Sequence, residues 1–174
     1  MFTNSYPYHY CGVDRTKVRP NLIKAHLFRF KDKLGHAYIV RAELYPNNIY
    51  AIKYYLKSHK LSVRKYNFLT GFGGGTRIFA TCLQIMVDLY GEDPTISFGV
   101  VGANLLDADI NKESDRNKRY RIYSVIFNRF FPANRFLHRQ SEADAAYILI
   151  NRQKLLEEHD LVSKMEADFD IANA

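Results

Sequence analysis

The feature that most constrains this chain is a cluster of four glycines in five positions, Gly71, Gly73, Gly74 and Gly75, set between a β-type run and an apolar helical one. Glycine loses more backbone freedom on folding than any other residue, so four together disfavour helix and strand alike. Downstream, Thr76 to Tyr90 carries Ile78, Leu83, Ile85, Met86 and Leu89, a broad apolar face expected of a core helix. Gly91-Glu92-Asp93-Pro94 stops that helix, and Thr95 to Val101 has the small, continuously apolar character of a central strand covered on both faces. The stretch from Lys65 to Asn104 therefore reads strand, glycine loop, helix, strand. Such a loop is either a plain connection or a place where an anion rests on the free N–H groups of a helix N-terminus. No GxxxxGK[ST] or GxGxxG pattern is present and no lysine follows the glycines, which argues against the usual nucleoside triphosphate loop.

The flanks supply the rest of a sheet. Residues 1–20 are rich in Tyr, Asn and Pro without clear periodicity and read as an irregular arm. Leu22 to Phe30 and His36 to Tyr45 are β-type runs joined by a short polar link with Gly35 near its turn, a hairpin signal. After Pro46-Asn47-Asn48, the run from Ile49 to Thr70 is ambiguous. Ile49, Ile52 and Leu56 stand at helical spacing, while the Tyr and Ile content favours strand. Strand is the expectation, with a bend near Ser58-His59-Lys60 and helix as the alternative. Residues 105–117 read as a loop. Residues 117–131 read as a second helix capped by Asn117, with Tyr120, Tyr123, Ile126, Phe127 and Phe130 toward the core. Phe136 to His138 and Ala146 to Ile150 read as short strands. An acidic C-terminal helix follows, with Leu155, Val162, Met165 and Phe169 in a narrow stripe. The expected class is α/β of the α+β kind, a mixed, mainly antiparallel sheet with two core helices. Residues 21–151 form the domain, and residues 152–174 an acidic helix or tail that docks on the body or meets a partner protein.

Composition narrows the function. The net charge is +7, unevenly spread: residues 1–66 carry 13 basic and 3 acidic side chains, and residues 111–154 carry 10 and 4. Between and after them, residues 67–110 carry 1 and 5, and residues 155–174 carry 1 and 6. Two basic blocks thus bracket an acidic centre, a distribution suited to nucleic acid, another polyanion, a phosphate-bearing cofactor or the chain's own acidic tail. Cys11 and Cys82 fit neither a zinc pattern nor a disulfide framework, and the six histidines show no HxxxH or HExxH spacing. No metal and a reducing, cytoplasmic compartment are expected. No apolar run is long enough for a membrane helix, and no basic leader precedes one.

The order of these elements, with Gly73-Gly74-Gly75-Thr76-Arg77-Ile78 at its centre, resembles the acyl-CoA-dependent N-acetyltransferase fold. The resemblance runs over roughly residues 22–150. It implies an acetyltransferase-like sheet in which backbone N–H groups of Gly73, Gly74, Gly75, Thr76 and Arg77 hold the pyrophosphate of acetyl-CoA or another acyl-CoA. It further implies that the strand at Ile96 to Val101 splays from its neighbour to admit the pantetheine arm, and that Tyr123 protonates the departing thiolate. Thr70 stands where the family usually has Gln or Arg, and the long helical pair between the first two strands is missing. Glu43 is the one carboxylate on a central strand. A member that kept the fold without the chemistry would share this pattern.

A second reading needs no chemistry. Basic and aromatic residues interleave at Tyr50–Tyr66 and again at Lys118–Tyr123, so that Lys53, Lys57, Arg64, Lys65, Lys118, Arg119 and Arg121 would neutralise phosphates while tyrosines stack on unpaired bases. Lys118, Arg119 and Arg121 crowd the first turn of the second helix, the unfavourable end for positive charge unless an anion sits nearby. A binding module of this kind would suit an accessory protein of a bacterial operon or mobile element.

Overall fold

The computed structural model describes residues 4–16, 19–62, 65, 75–101, 125–141, 146–157 and 160–165. Among the described residues, seven strands form one mixed, mostly antiparallel sheet: β1 (Tyr8–Asp14), β2 (Lys24–Lys31), β3 (Ala37–Tyr45), β4 (Ile49–Leu56), β5 (Ser97–Val101), β6 (Phe136–Ser141) and β7 (Ala146–Asn151). Their spatial order is β1-β2-β3-β4-β5-β7-β6. Among the described strands, β4 and β5 are the one parallel pair. Helix α1 (Gly75–Glu92) lies in the crossover between them. Residues 125–130 form α2, Arg152–Glu157 form α3, and residues 161–165 form α4.

The β2–β3 hairpin is set by its turn. Asp32 accepts from the N–H groups of Leu34 and His36, each at 2.9 Å, and from His36 Nδ1 at 2.9 Å. Gly35 supplies the left-handed conformation, φ +84°, that lets its N–H reach the Asp32 carbonyl. Between β3 and β4, Asn47 and Asn48 take φ of 63° and 59°, tolerated best by asparagine after glycine. The Asn48 amide then donates to Asp93 at 2.6 Å and to Thr95 at 2.8 Å. That clamp sets the start of β4 beside the start of β5.

Period-2 alternation sends Tyr38, Val40, Ala42 of β3 and Tyr50, Ile52 of β4 to one face, where they meet Ile78, Leu83, Ile85, Met86 and Leu89 of α1. Phe127 and Phe131, at the end of α2, complete this cluster and are fully buried. His138 fixes that end of α2, with Nε2 2.8 Å from the Phe131 carbonyl and Nδ1 2.7 Å from the Tyr147 hydroxyl. Because the carbonyl only accepts, Nε2 carries the proton and Tyr147 donates to Nδ1. The opposite face holds a second cluster of Tyr45, Ile49, Ala51, Ile148 and Ile150, roofed by Leu161 and Met165 of α4. The apolar stripe expected on the C-terminal helix therefore packs within the chain. Phe169 lies outside the described residues.

The N-terminal arm differs from its expected irregular form. Tyr8–Asp14 is the edge strand β1, paired antiparallel with β2 through a bulge between Tyr10 and Gly12, where Gly12 sits at φ +108°. Tyr6 precedes it, buried and stacked on Phe30 at 5.7 Å, with its N–H donating to Thr81 of α1 at 2.8 Å.

Candidate functional site

A parallel β4–α1–β5 unit brings the N-terminus of α1 to the carboxyl end of β4. The described pairing between the two strands runs from Ile49↔Ser97 to Ile52↔Val100, so Lys53 to Leu56 of β4 continue past its end. Gly75 is the first helical residue, and the first N–H groups of any helix lack an intrahelical acceptor. Thr76 and Arg77 are exposed there. The Arg77 guanidinium lies 4.2 Å from the centre of the Tyr6 ring and reaches the Ser5 carbonyl at 3.5 Å. It pairs with no carboxylate among the described residues, so its charge adds to the positive end of the helix dipole. Gly73, Gly74 and Tyr123 lie outside the described residues.

Lys53 is not on the surface. It is buried on the sheet face opposite α1, 3% exposed, with Nζ 2.9 Å from Glu43 Oε2. Around it stands a cluster of charged side chains from three strands. Asp14, Ala25, Glu43, Ala51 and Gly99 lie in one cross-strand row, and Leu27, Arg41 and Lys53 in the next. Ala25 and Ala51 flank Glu43 with methyl groups only, so the long neighbours reach diagonally across them. Arg41 bonds Asp14 through Nη1 at 2.7 Å and Glu43 through Nε at 3.1 Å, and the Tyr45 hydroxyl donates to Glu43 at 3.0 Å. Burial pushes the Glu43 carboxyl up, but Lys53, Arg41 and Tyr45 outweigh it and hold it below the ordinary value. Burial lowers the Lys53 ammonium, and the Glu43 charge only partly restores it. Asp14, hydrogen-bonded by Arg41 and then by Thr16, is held down to about 2. A carboxylate so well supplied with donors is a poor proton acceptor. Glu43 serves as a buried counter-ion.

This burial corrects part of the nucleic-acid interface. Tyr50 and Tyr55, whose rings would have stacked on bases, are 7% and 6% exposed. Lys57 is exposed, and Lys65 lies with Nζ 5.1 Å from the centre of the Tyr55 ring. Arg64, Lys118, Arg119 and Arg121 lie outside the described residues. The signal for the buried cluster was present in the strand period: Arg41 and Glu43 are two apart on one run and must share a face.

Among the described residues no group of three or more His, Cys, Asp or Glu side chains is arranged to hold a metal ion. None of the described helices is long and apolar enough to cross a membrane. Compared with protein-family models, curated proteins and solved structures, the chain matches no family model, no curated protein and no solved structure.

Proposed function

We propose that this chain is an acyl-CoA-dependent N-acyltransferase-like protein whose Gly73–Arg77 turn receives the cofactor's pyrophosphate. One observation carries it: the sheet's described parallel pair, β4 and β5, brackets a helix whose N-terminal turn exposes Thr76 and Arg77 where the described strand pairing ends. In open sheets with parallel connections, ligands bind beyond the carboxyl ends of the strands. Phosphate groups bind at helix N-termini because N–H groups and dipole both favour negative charge there. The residues fit such a group, since Arg77 rests on an aromatic ring with no described carboxylate to neutralise it. The run of antiparallel strands, glycine loop, helix, apolar strand, helix and final strands is also the order the family resemblance implies.

An acyl-CoA, when bound, supplies the activated acyl thioester. The chain's part is to hold the pyrophosphate on the amides of Gly73 to Arg77, with the side chains of Thr76 and Arg77 beside them. Tyr123 holds a proton for the departing sulfur.

Calorimetric titration with acetyl-CoA tests this, run beside a short single-stranded oligonucleotide at two salt concentrations. Saturable acetyl-CoA binding that Gly74→Asp removes is the expected result, because a carboxylate there repels the pyrophosphate. Salt-sensitive oligonucleotide binding with no acetyl-CoA signal would replace the proposal with a nucleic-acid module.

A further inference from the structure

The other half of α1 borders a different cavity. A cleft of about 410 Å³ opens between β1, β2 and the residues Ile85 to Glu92. Its nearest helical residue, Ile85, is about 12 Å along α1 from Arg77 at 1.5 Å per residue. It owes nothing to the acyltransferase proposal.

Aromatic rings form its sheet side. Tyr8 meets Phe28 edge-on at 5.8 Å, and Tyr10 tilts against Phe28 at 5.4 Å and against His26 at 5.9 Å. Ile85 and Leu89 give the helix side an apolar floor, and Asp88 and Glu92 stand on its exposed edge. Asp88 accepts from the Tyr8 hydroxyl and from Gln84 Nε2. Among the described residues neither carboxylate has a cation in ion-pair contact. Glu92 is the last residue of α1, and no basic residue occupies that last turn. Carboxylates at a helix C-terminus stand at the negative end of the dipole, an unfavourable placement. Among the described residues, that arrangement leaves two exposed carboxylates with no basic side chain in ion-pair contact.

His26 does not relieve it. Burial, then the neighbouring Lys24, lowers its pKa, so the ring is neutral near pH 7. Its Nδ1 lies 3.2 Å from the Tyr10 hydroxyl, and its Nε2 is buried with no hydrogen-bond partner among the described residues. Aromatic faces, an apolar floor, two carboxylates and a neutral imidazole are together the recognition chemistry of an organic cation. A small hard metal ion would need more oxygen ligands than this set offers.

We propose that the cleft between β1, β2 and the C-terminal half of α1 binds an alkylammonium ion, its charge facing Asp88 and Glu92 and its carbon chain lying on Tyr8, Tyr10, Phe28 and Leu89. The attraction of a cation for ring faces adds to that of the carboxylates. The volume suits a ligand of small-metabolite size.

The test is a titration of the full chain with 1,4-diaminobutane and, separately, tetramethylammonium, at matched ionic strength, followed by aromatic NMR resonances and calorimetry. Saturable binding of at least one at millimolar concentration is expected, with ring signals of Tyr8, Tyr10 and Phe28 shifting together. Tighter binding of the diamine identifies N–H recognition by the carboxylates and His26, and tighter binding of the quaternary ion identifies recognition by ring faces. Glu92→Gln, an exposed substitution that leaves the fold intact, is expected to weaken binding about two- to fivefold. Absence of saturable binding by both ions, or affinity unchanged in Glu92→Gln, overturns the proposal.

Discussion

Removing the charge of Glu43 tests the buried cluster most sharply. Glu43→Gln keeps the shape of the side chain and exchanges a carboxylate for an amide between Arg41 and Lys53. Unit charges 2.9 Å apart, the Lys53–Glu43 separation, attract by about 6 kcal/mol at an effective dielectric of about 20. Part of that gross term is offset by desolvation already present in the wild type, and the amide oxygen still accepts one hydrogen bond. Removing one partner of a buried pair typically costs about 3–5 kcal/mol, because the other charge stays behind. Arg41 keeps Asp14 at 2.7 Å, so the charge that loses its carboxylate contact is Lys53. With a urea slope of about 2 kcal/mol per molar, the unfolding midpoint should fall by about 2 M, read by circular dichroism. Lys53→Met should cost less, about 1–2 kcal/mol, since Glu43 retains Arg41 and Tyr45 and the methionine refills the aliphatic space. The pH dependence gives a second readout. Glu43 has a lowered folded-state pKa, so its stabilisation is present above the ordinary value of 4.5 and is lost as pH falls through the folded value. Glu43→Gln should lose that acid-side slope. Lys53 is lowered in the fold, so the unfolded chain binds more protons between its folded value and 10.5, and the variant should gain stability as pH rises through that window. A loss under about 1 kcal/mol, with unchanged pH slopes, would refute a buried ionic cluster here.

Asn48→Ala removes the two hydrogen bonds that join the β3–β4 turn to Asp93 and Thr95 and places alanine at φ 59°; a loss of about 2 kcal/mol in thermal or urea unfolding is expected. Cys82 is buried, its thiol pushed up to about 12, while Cys11 is exposed, so the native protein should show one fast-reacting thiol with a colorimetric disulfide reagent at pH 8 and a second only on unfolding. Met165→Ala opens a cavity under α4 and should cost about 2–5 kcal/mol, with loss of helical signal at lower urea than the sheet if α4 opens locally.

The elements with strong local signals were legible. The hairpin around Gly35, helix α1, strand β5 and the β6–β7 pair follow from turn chemistry and hydrophobic period, and the bend after Leu56 appears as a short 3-10 turn at Lys57–His59. Strand β1 was hidden because the bulge at Cys11 and Gly12 breaks its alternation, and Tyr8 and Tyr10 gain their partners from residues about 20 positions away in β2 and about 80 away in α1. Lys53 looked like a surface cation because its burial depends on Ala25 of β2 and on Arg41 and Glu43 of β3, which the residues flanking Lys53 in sequence do not reveal. Of the turn proposed to hold phosphate, Thr76 and Arg77 stand at a helix start as their sequence context suggested. The contact of Arg77 with Tyr6 could not be read from either local stretch.

The measurement that bears most directly on the acyl-CoA proposal is a backbone amide NMR titration of the isotope-labelled chain with acetyl-CoA. The account predicts saturable shifts at the amides of Gly73 to Arg77, absent in Gly74→Asp, with Asp88 to Glu92 unmoved. Shifts confined to the aromatic cleft, or no shifts at all, would contradict it.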